Sequence, residues 1–215
     1  MDQIKAVLFD MDGVLIDAKD WHYEALNKAL KLFGMEITRY DHLVTYDGLP
    51  TRKKLEMLTL ERGLPASLHS FINELKQRYT LEIVYSSCFP TFHHQFALSK
   101  LRQQGYKLGV CSNSIRQSVE VMLDRAELSG YFEFFLSNQD VSKPKPHPEI
   151  YEKAIERMEL YPHECLIVED NHHGIQAAKA SGAHVLEVVG PAQVTFGAIR
   201  GKIAEIESLV EVTHA

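Results

Sequence analysis

At 215 residues, 45% of them hydrophobic and 24% charged, the chain has the size and composition of a globular protein, either one large domain or a core carrying a smaller insert. A formal net charge of -6 with no Lys/Arg stripe argues against a nucleic-acid partner, and no apolar run reaches the roughly 18 residues of a membrane span. Asp10 and Asp12 break the N-terminal apolar stretch that a signal peptide needs, and three cysteines, odd in number and widely spaced, fit a reducing cytoplasm better than a disulfide framework.

The run Ala6-Val7-Leu8-Phe9 lacks polar alternation, which suits a strand buried on both faces, as in a parallel sheet. It ends in Asp10 and Asp12, then Gly13, whose missing Cβ permits a sharp turn. Strand ends in open α/β sheets face the ligand crevice, so these acids are expected at a site. The period then changes. Trp21, Ala25, Leu26, Ala29, Leu30 and Phe33 recur at helical spacing over residues 18–33, up to Gly34. After the loop Tyr46-Asp47-Gly48-Leu49-Pro50, Thr51 is expected to cap a second helix bearing Leu55, Leu58 and Leu60. Gly63 and Pro65 break it, and Ser67 is read as the start of a third, through Phe71, Ile72 and Leu75.

From about residue 83 helices and strands alternate. Helices are expected over 92–104, 115–126, 148–158 and 174–181, and strands over 107–111, 132–136, 165–168 and 184–189. The tail, 192–215, suggests a short strand near Ile203–Ile206. The pattern predicts an α/β fold: a doubly wound, Rossmann-like parallel sheet from residues 1–16 and 83–215, with an all-helical insert at 17–82.

Three strands end in polar residues that converge on the sheet's carboxyl edge: Asp10 and Asp12, Ser112 and Asn113, Glu169 and Asp170. Lys145, in the segment Ser142 to Glu149, adds a positive charge. Acids without thiolates or clustered imidazoles favour Mg²⁺ over zinc. Ser112 and Asn113, where a strand turns into a helix, offer backbone N–H groups to an anion. Together these groups describe phosphoryl transfer. The pairs His93-His94, which point to adjacent helix faces and not to one ligand-binding face, and His172-His173, beside acids whose Mg²⁺ does not favour imidazole, are read as surface or structural.

The D-x-D-G-V turn, the V-C-S-N-S strand end, the K-P-x-P-E-I-Y segment and the V-E-D-N-x-x-G-I-x-A-A run resemble the four motifs of the haloacid dehalogenase superfamily, in order and over nearly the whole chain. The likeness is greatest to its phosphatases and β-phosphoglucomutase-like enzymes, whose helical cap domain matches residues 17–82. The resemblance implies that Asp10 is a nucleophile forming an aspartyl-phosphate and Asp12 the general acid/base. It implies Mg²⁺ on Asp10, Asp170 and the Asp12 backbone carbonyl, with Glu169 bound directly or through water. Ser112, the Asn113 amide and Lys145 would clamp the phosphoryl oxygens, Lys143 being the alternative to Lys145. Gly48, Thr51, Arg52 and Lys53 match the cap loop that contacts substrate, and His22 a histidine that positions the acid/base. The implied activity is hydrolysis of a small phosphorylated metabolite, a sugar phosphate first, by a cytoplasmic monomer or weak dimer. A sugar phosphomutase is the alternative, disfavoured because Thr51 stands where the mutases carry a cap arginine, Asp47 where they carry a lysine, and Asn113 where they carry a small residue. A binding module with a vestigial site is the third reading.

Overall fold

The computed structural model describes residues 3–213. In chain order these form β1 (Ala6–Phe9), α1 (Lys19–Lys31), α2 (Arg39–Asp41) running into a π-helical turn (His42–Tyr46), α3 (Thr51–Arg62), α4 (His69–Ser87) and α5 (Phe92–Gln103). There follow β2 (Lys107–Cys111), α6 (Arg116–Arg125), β3 (Phe134–Leu136), α7 (Glu149–Arg157), β4 (Cys165–Glu169), α8 (His172–Ala180), β5 (His184–Glu187) and α9 (Phe196–Thr213). The strands make one parallel sheet in the order β3-β2-β1-β4-β5, with β1 hydrogen-bonded to both β2 and β4.

Successive side chains of a strand point to opposite faces, and here both faces are covered. Val7 and Phe9 pack with Leu101, Val119, Met122, Ile199 and Ile203, beneath α5, α6 and α9. Ala6 and Leu8 pack with Ile150, Tyr151, Ala154 and Ala177, beneath α7 and α8. Two-sided burial is why β1 reads as an unbroken apolar run. Each such side chain, moved out of water, contributes roughly 1.5–3 kcal/mol.

Between β1 and β2 the described chain makes helices and turns only. Their own core gathers Leu26, Leu30, Ile37, Leu55, Leu58 and Ile72. Buried Asn27 ties α1 to the following loop, donating to the Ile37 carbonyl and accepting from the Ile37 N–H, each at 2.8 Å. The last turn of α4 returns to the sheet, placing Val84 and Cys88 in the same core as Val7.

Three local expectations are corrected. Thr51 is the first residue of α3 and caps nothing; Pro50 precedes the helix and supplies no side-chain acceptor. Ser67 lies in a 3₁₀ turn, Ala66–Leu68, and α4 begins at His69. The tail holds no strand at Ile203–Ile206: α9 runs through it, and Ile199, Ile203 and Ile206, spaced for a helix, meet the core side by side. Among the described residues no helix is long and apolar enough to cross a membrane.

Candidate active site

β1 is the point where strand order reverses, with β2 on one side and β4 on the other. In an open α/β sheet the crevice forms beyond the carboxyl ends at such a point. Asp10 follows β1 directly, and its N–H donates to the Val168 carbonyl at 3.0 Å. Gly13 then turns the chain at φ 93°, where a Cβ would also run into Asp170 and Lys19. That turn sends Asp12 away from Asp10, so the two acids acquire different neighbours.

Asp10 faces a cation. The Lys145 side chain is 3% exposed, and its Nζ shares three N–H groups among four oxygens: Asp10 Oδ1 at 2.6 Å, Glu169 Oε1 at 2.6 Å, the Cys111 carbonyl at 2.8 Å and the Tyr151 hydroxyl at 2.8 Å. Burial opposes its charge, but Asp10 and Glu169 outweigh burial and hold the pKa above the ordinary lysine value. The Tyr151 hydroxyl donates in turn to Glu169 Oε1 at 2.6 Å. Burial pushes the Asp10 carboxyl well up; Lys145 opposes this, while Glu169, Asp170 and Asp12 add to it. Such crowding of acids calls for a further positive charge.

Carboxylate oxygens of Asp10, Glu169 and Asp170 lie within 4.8 Å of one another. Both Asp170 oxygens are buried; Oδ2 is partnered by Lys19 Nζ at 2.6 Å, and Oδ1 has no partner among the described residues. Burial lifts the Asp170 carboxyl to about 6, with Lys19 pulling the other way. An oxygen-only donor set that includes the unpartnered Asp170 Oδ1 fits a hard divalent cation.

Asp12 has hydroxyls and an imidazole. Ser114 Oγ donates to its Oδ2 at 2.7 Å, Ser112 Oγ lies 3.4 Å from the same oxygen, and His22 Nε2 is 3.0 Å from Oδ1. Burial opposes ionisation, but His22, Ser114 and Lys76 bring the Asp12 carboxyl down to about 2. His22 is itself pushed below its ordinary value by burial and by the Lys76 ammonium, against the pull of Asp12.

Asn113 spends its side chain bridging. Its Nδ2 donates to the carbonyls of Gly48 (3.0 Å) and Lys145 (3.2 Å), and its Oδ1 accepts from the Lys145 N–H at 3.1 Å. Asn171 Nδ2 donates to Asp47 Oδ2 at 2.9 Å, so two core loops hold the 47–48 loop of the helical insert. Gly48, at φ 71°, rests on Asn171 where a Cβ would collide with it.

Core and insert enclose a cavity of about 140 Å³, lined by Asp10, Asp12, His22, Asn113, Lys145 and Glu169 and by Gly48, Thr51, Arg52, Lys54 and Lys76. Ser112 is wholly buried behind Asp12. Arg52 reaches the rim with its side chain 89% exposed and pairs with Glu56. Lys53 also pairs with Glu56, 3.7 Å away, and is not part of the lining. Lys143 is exposed and outside the cavity, so of the two lysines only Lys145 meets Asp10. The histidine pairs take structural places: His93 and His94 both meet the Pro191 carbonyl, and the His173 N–H is capped by Asn171.

Sequence reasoning missed Lys19, Lys54, Lys76, Ser114 and Tyr151. Ser114, two residues beyond Ser112, carried a local signal. The three lysines carried none, because single lysines on helices ordinarily face water.

A family model described as haloacid dehalogenase-like hydrolase matches residues 7–188. The chain is 31% identical over 195 residues to pyrophosphatase PpaX of Bacillus mycoides, covering 86% of this chain and 84% of that protein. It is 30% identical over 182 residues to the phosphorylated carbohydrates phosphatase of Thermotoga maritima, covering 83% and 82%. The crystal structure of β-phosphoglucomutase from Clostridium difficile superposes with a TM-score of 0.81 at 22% identity, over 94% of this chain and 98% of that one, and shows the shared fold. With its motifs at the carboxyl edge of a parallel sheet and a family match over most of its length, the chain belongs to the haloacid dehalogenase-like hydrolases.

Proposed function

We propose that this protein is a Mg²⁺-dependent phosphatase that releases inorganic phosphate from a small phosphorylated metabolite, a sugar phosphate first, through an aspartyl-phosphate on Asp10. The observation that carries the reading is the 2.6 Å contact of Lys145 with Asp10 Oδ1, beside a second acid, Asp12, held by other partners. Acids in different surroundings are suited to different work. The names of the Bacillus and Thermotoga relatives, a pyrophosphatase and a phosphatase of phosphorylated carbohydrates, support phosphate release.

Asp10 attacks phosphorus through a carboxylate oxygen, and the bond to the leaving oxygen breaks as Asp12 delivers a proton to it. Asp12 next takes a proton from water, whose oxygen attacks the same phosphorus and frees Asp10. With its pKa at about 2, Asp12 is ionised before substrate arrives. The proton it delivers is one it first takes from the P–OH of the entering phosphate monoanion, the negative phosphoryl group beside it having raised its proton affinity. Ser112, the Asn113 backbone amide and Lys145 clamp the phosphoryl oxygens. Asp10, Asp170 and the Asp12 backbone carbonyl would hold the magnesium ion, with Glu169 bound directly or through water; once bound, it supplies charge that offsets the phosphoryl oxygens. Residues 17–82 act as a cap over the core of 1–16 and 83–215, excluding water and moving about hinges near 16–18 and 82–88. Three free, buried thiols suit the cytoplasm.

The test is metal-dependent release of phosphate from p-nitrophenyl phosphate and from a panel of phosphorylated metabolites. Asp10→Asn is expected to lose at least about a thousandfold in kcat; full activity in that variant defeats the nucleophile assignment. Interconversion of hexose 1- and 6-phosphates dependent on a bisphosphate would mark a mutase instead.

A further inference from the structure

Lys54, on the first turns of α3, is 6% exposed and lines the cavity it shares with Asp10 and Asp12. Among the described residues its ammonium has no hydrogen bond and no ion pair, unlike Lys145 with its four oxygens or Lys19 with Asp170. Its side chain is buried while its Nζ, with no partner among the described residues, opens onto the cavity space. Its surroundings are not those of a charge settled for its own sake. Burial draws its pKa down to about 8, Asp47 and Asp12 being the acids that oppose the fall. Asp47 is already engaged by Asn171 and Lys19, and Asp12 by His22 and the serines. The Lys54 charge also acts against the protonation of Lys76, His22 and His42. The wall that the insert turns toward the site thus carries Lys54 and Lys76, and its acid, Asp47, is already paired.

We infer that Lys54 is a specificity-determining residue that receives a second anionic group on the substrate, a carboxylate or a second phosphate carried by the leaving group. The inference rests on the phosphatase reading and narrows it: the phosphoryl group in transit meets Lys145 and the acid cluster, while the leaving group's own charge meets Lys54 across the same small cavity. A neutral sugar tail would leave the ammonium as unpaired as it is without substrate. An anionic tail would complete it with a charge-assisted hydrogen bond. Lys54 bonds no reacting atom, so its effect belongs in substrate affinity rather than in the chemical step.

Matched pairs of esters test this by kcat/KM. In one arm, 3-phosphoglycerate is set against glycerol 3-phosphate, which differ by a carboxylate; in the other, fructose 1,6-bisphosphate is set against fructose 6-phosphate. Wild type is expected to favour the anionic member about tenfold or more in at least one arm, chiefly through KM, and the arm that responds names the anion. In Lys54→Met that ratio should fall to within about threefold of unity, whatever the loss in absolute rate, and Lys54→Arg should restore it. A wild-type ratio near unity in both arms, or a ratio that Lys54→Met leaves unaltered, overturns the inference while the phosphatase stands. Should Lys54→Met fail to fold, the wild-type ratios and Lys54→Arg decide alone. Absence of metal-dependent hydrolysis of every ester, p-nitrophenyl phosphate included, overturns the phosphatase reading and this inference with it.

Discussion

Lys76 Nζ, on α4, lies 3.0 Å from Nδ1 of His22, while Nε2 of the same ring lies 3.0 Å from Asp12 Oδ1. The ionised Asp12 can only accept, so a neutral ring carries its proton on Nε2, and Nδ1 is left to accept from Lys76. A lysine from the helical insert and the carboxylate of Asp12 thus hold opposite sides of one imidazole and together favour that tautomer.

That arrangement has a cost in stability. Burial lowers the Lys76 pKa to about 7, and the Lys54 charge adds to the shift. A lysine depressed in the folded state binds fewer protons than in the unfolded chain between about pH 7 and its ordinary value, so stability rises with pH across that window and the destabilisation is full below it. Lys76→Met, which removes the charge and keeps the volume, should melt higher at pH 7, by about 2–4 °C. Its kcat should fall about tenfold or more as His22 loses its fixed tautomer. Melting curves and initial rates on one preparation check both directions; a lower Tm with unchanged kcat contradicts the scheme.

The crowding of Asp10, Glu169 and Asp170 exceeds what Lys145 and Lys19 offset, since Asp10 and Asp170 both stay above the ordinary carboxylate range. Magnesium should therefore stabilise the fold. At about a hundred times its Kd, linkage gives about 2.7 kcal/mol, or roughly 5–10 °C in Tm for a chain of this size. Asp170→Ala should melt at the same temperature with and without the ion. Differential scanning calorimetry with magnesium and with a chelator measures the difference.

His94 supplies a pH dependence remote from the site. It is 2% exposed, meets Thr91 Oγ1 at 2.8 Å and the Pro191 carbonyl at 3.0 Å, and burial with the charge of His93 lowers its pKa to about 4. The unfolded chain takes up this proton near pH 6.5 and the folded chain only near pH 4, so stability drains away as pH falls between those values. His94→Gln should show a shallower fall in Tm over that interval, read from thermal melts between pH 4 and pH 7.

Gly48 links the helical insert to the core through its carbonyl, which accepts from Asn113, and through its missing side chain, which leaves room for Asn171. Gly48→Ala strains a φ of 71° and pushes Asn171 away, with a backbone cost of roughly 1–3 kcal/mol. Because the strain is felt most where the insert meets the core, KM should rise about tenfold, while Tm falls by only a few degrees. Steady-state kinetics beside a thermal melt separates the two.

The fold was legible because two-sided burial leaves a plain mark. Ala6–Phe9, Leu108–Cys111 and Cys165–Val168 are short apolar runs ending abruptly in polar residues, and such ends can lie only at a strand terminus. Residues just after those ends, Asp10, Asp12, Ser112, Asn113 and Asp170, do gather at one edge. Local signals failed where a residue's preference was met or overruled by context. Thr51 is a good cap by type, yet it sits one residue inside its helix. Ile203 and Ile206 suit a strand by type, yet they serve a helix because the core lies along one side of it.

By itself the sequence determined a parallel sheet with an all-helical insertion after its first strand, and it named the acids, hydroxyls and lysine at the carboxyl edge, because periodicity and strand ends are local properties of a chain. Only the tertiary structure decided that Lys145 rather than Lys143 meets Asp10, that Lys19 guards Asp170, and that Lys54 and Lys76 turn inward. The Lys145–Asp10, Lys19–Asp170 and Lys76–His22 contacts join residues far apart along the chain. A lysine's side chain is long enough to reach either water or a buried acid, so its choice is set by the charge that folding brings opposite it.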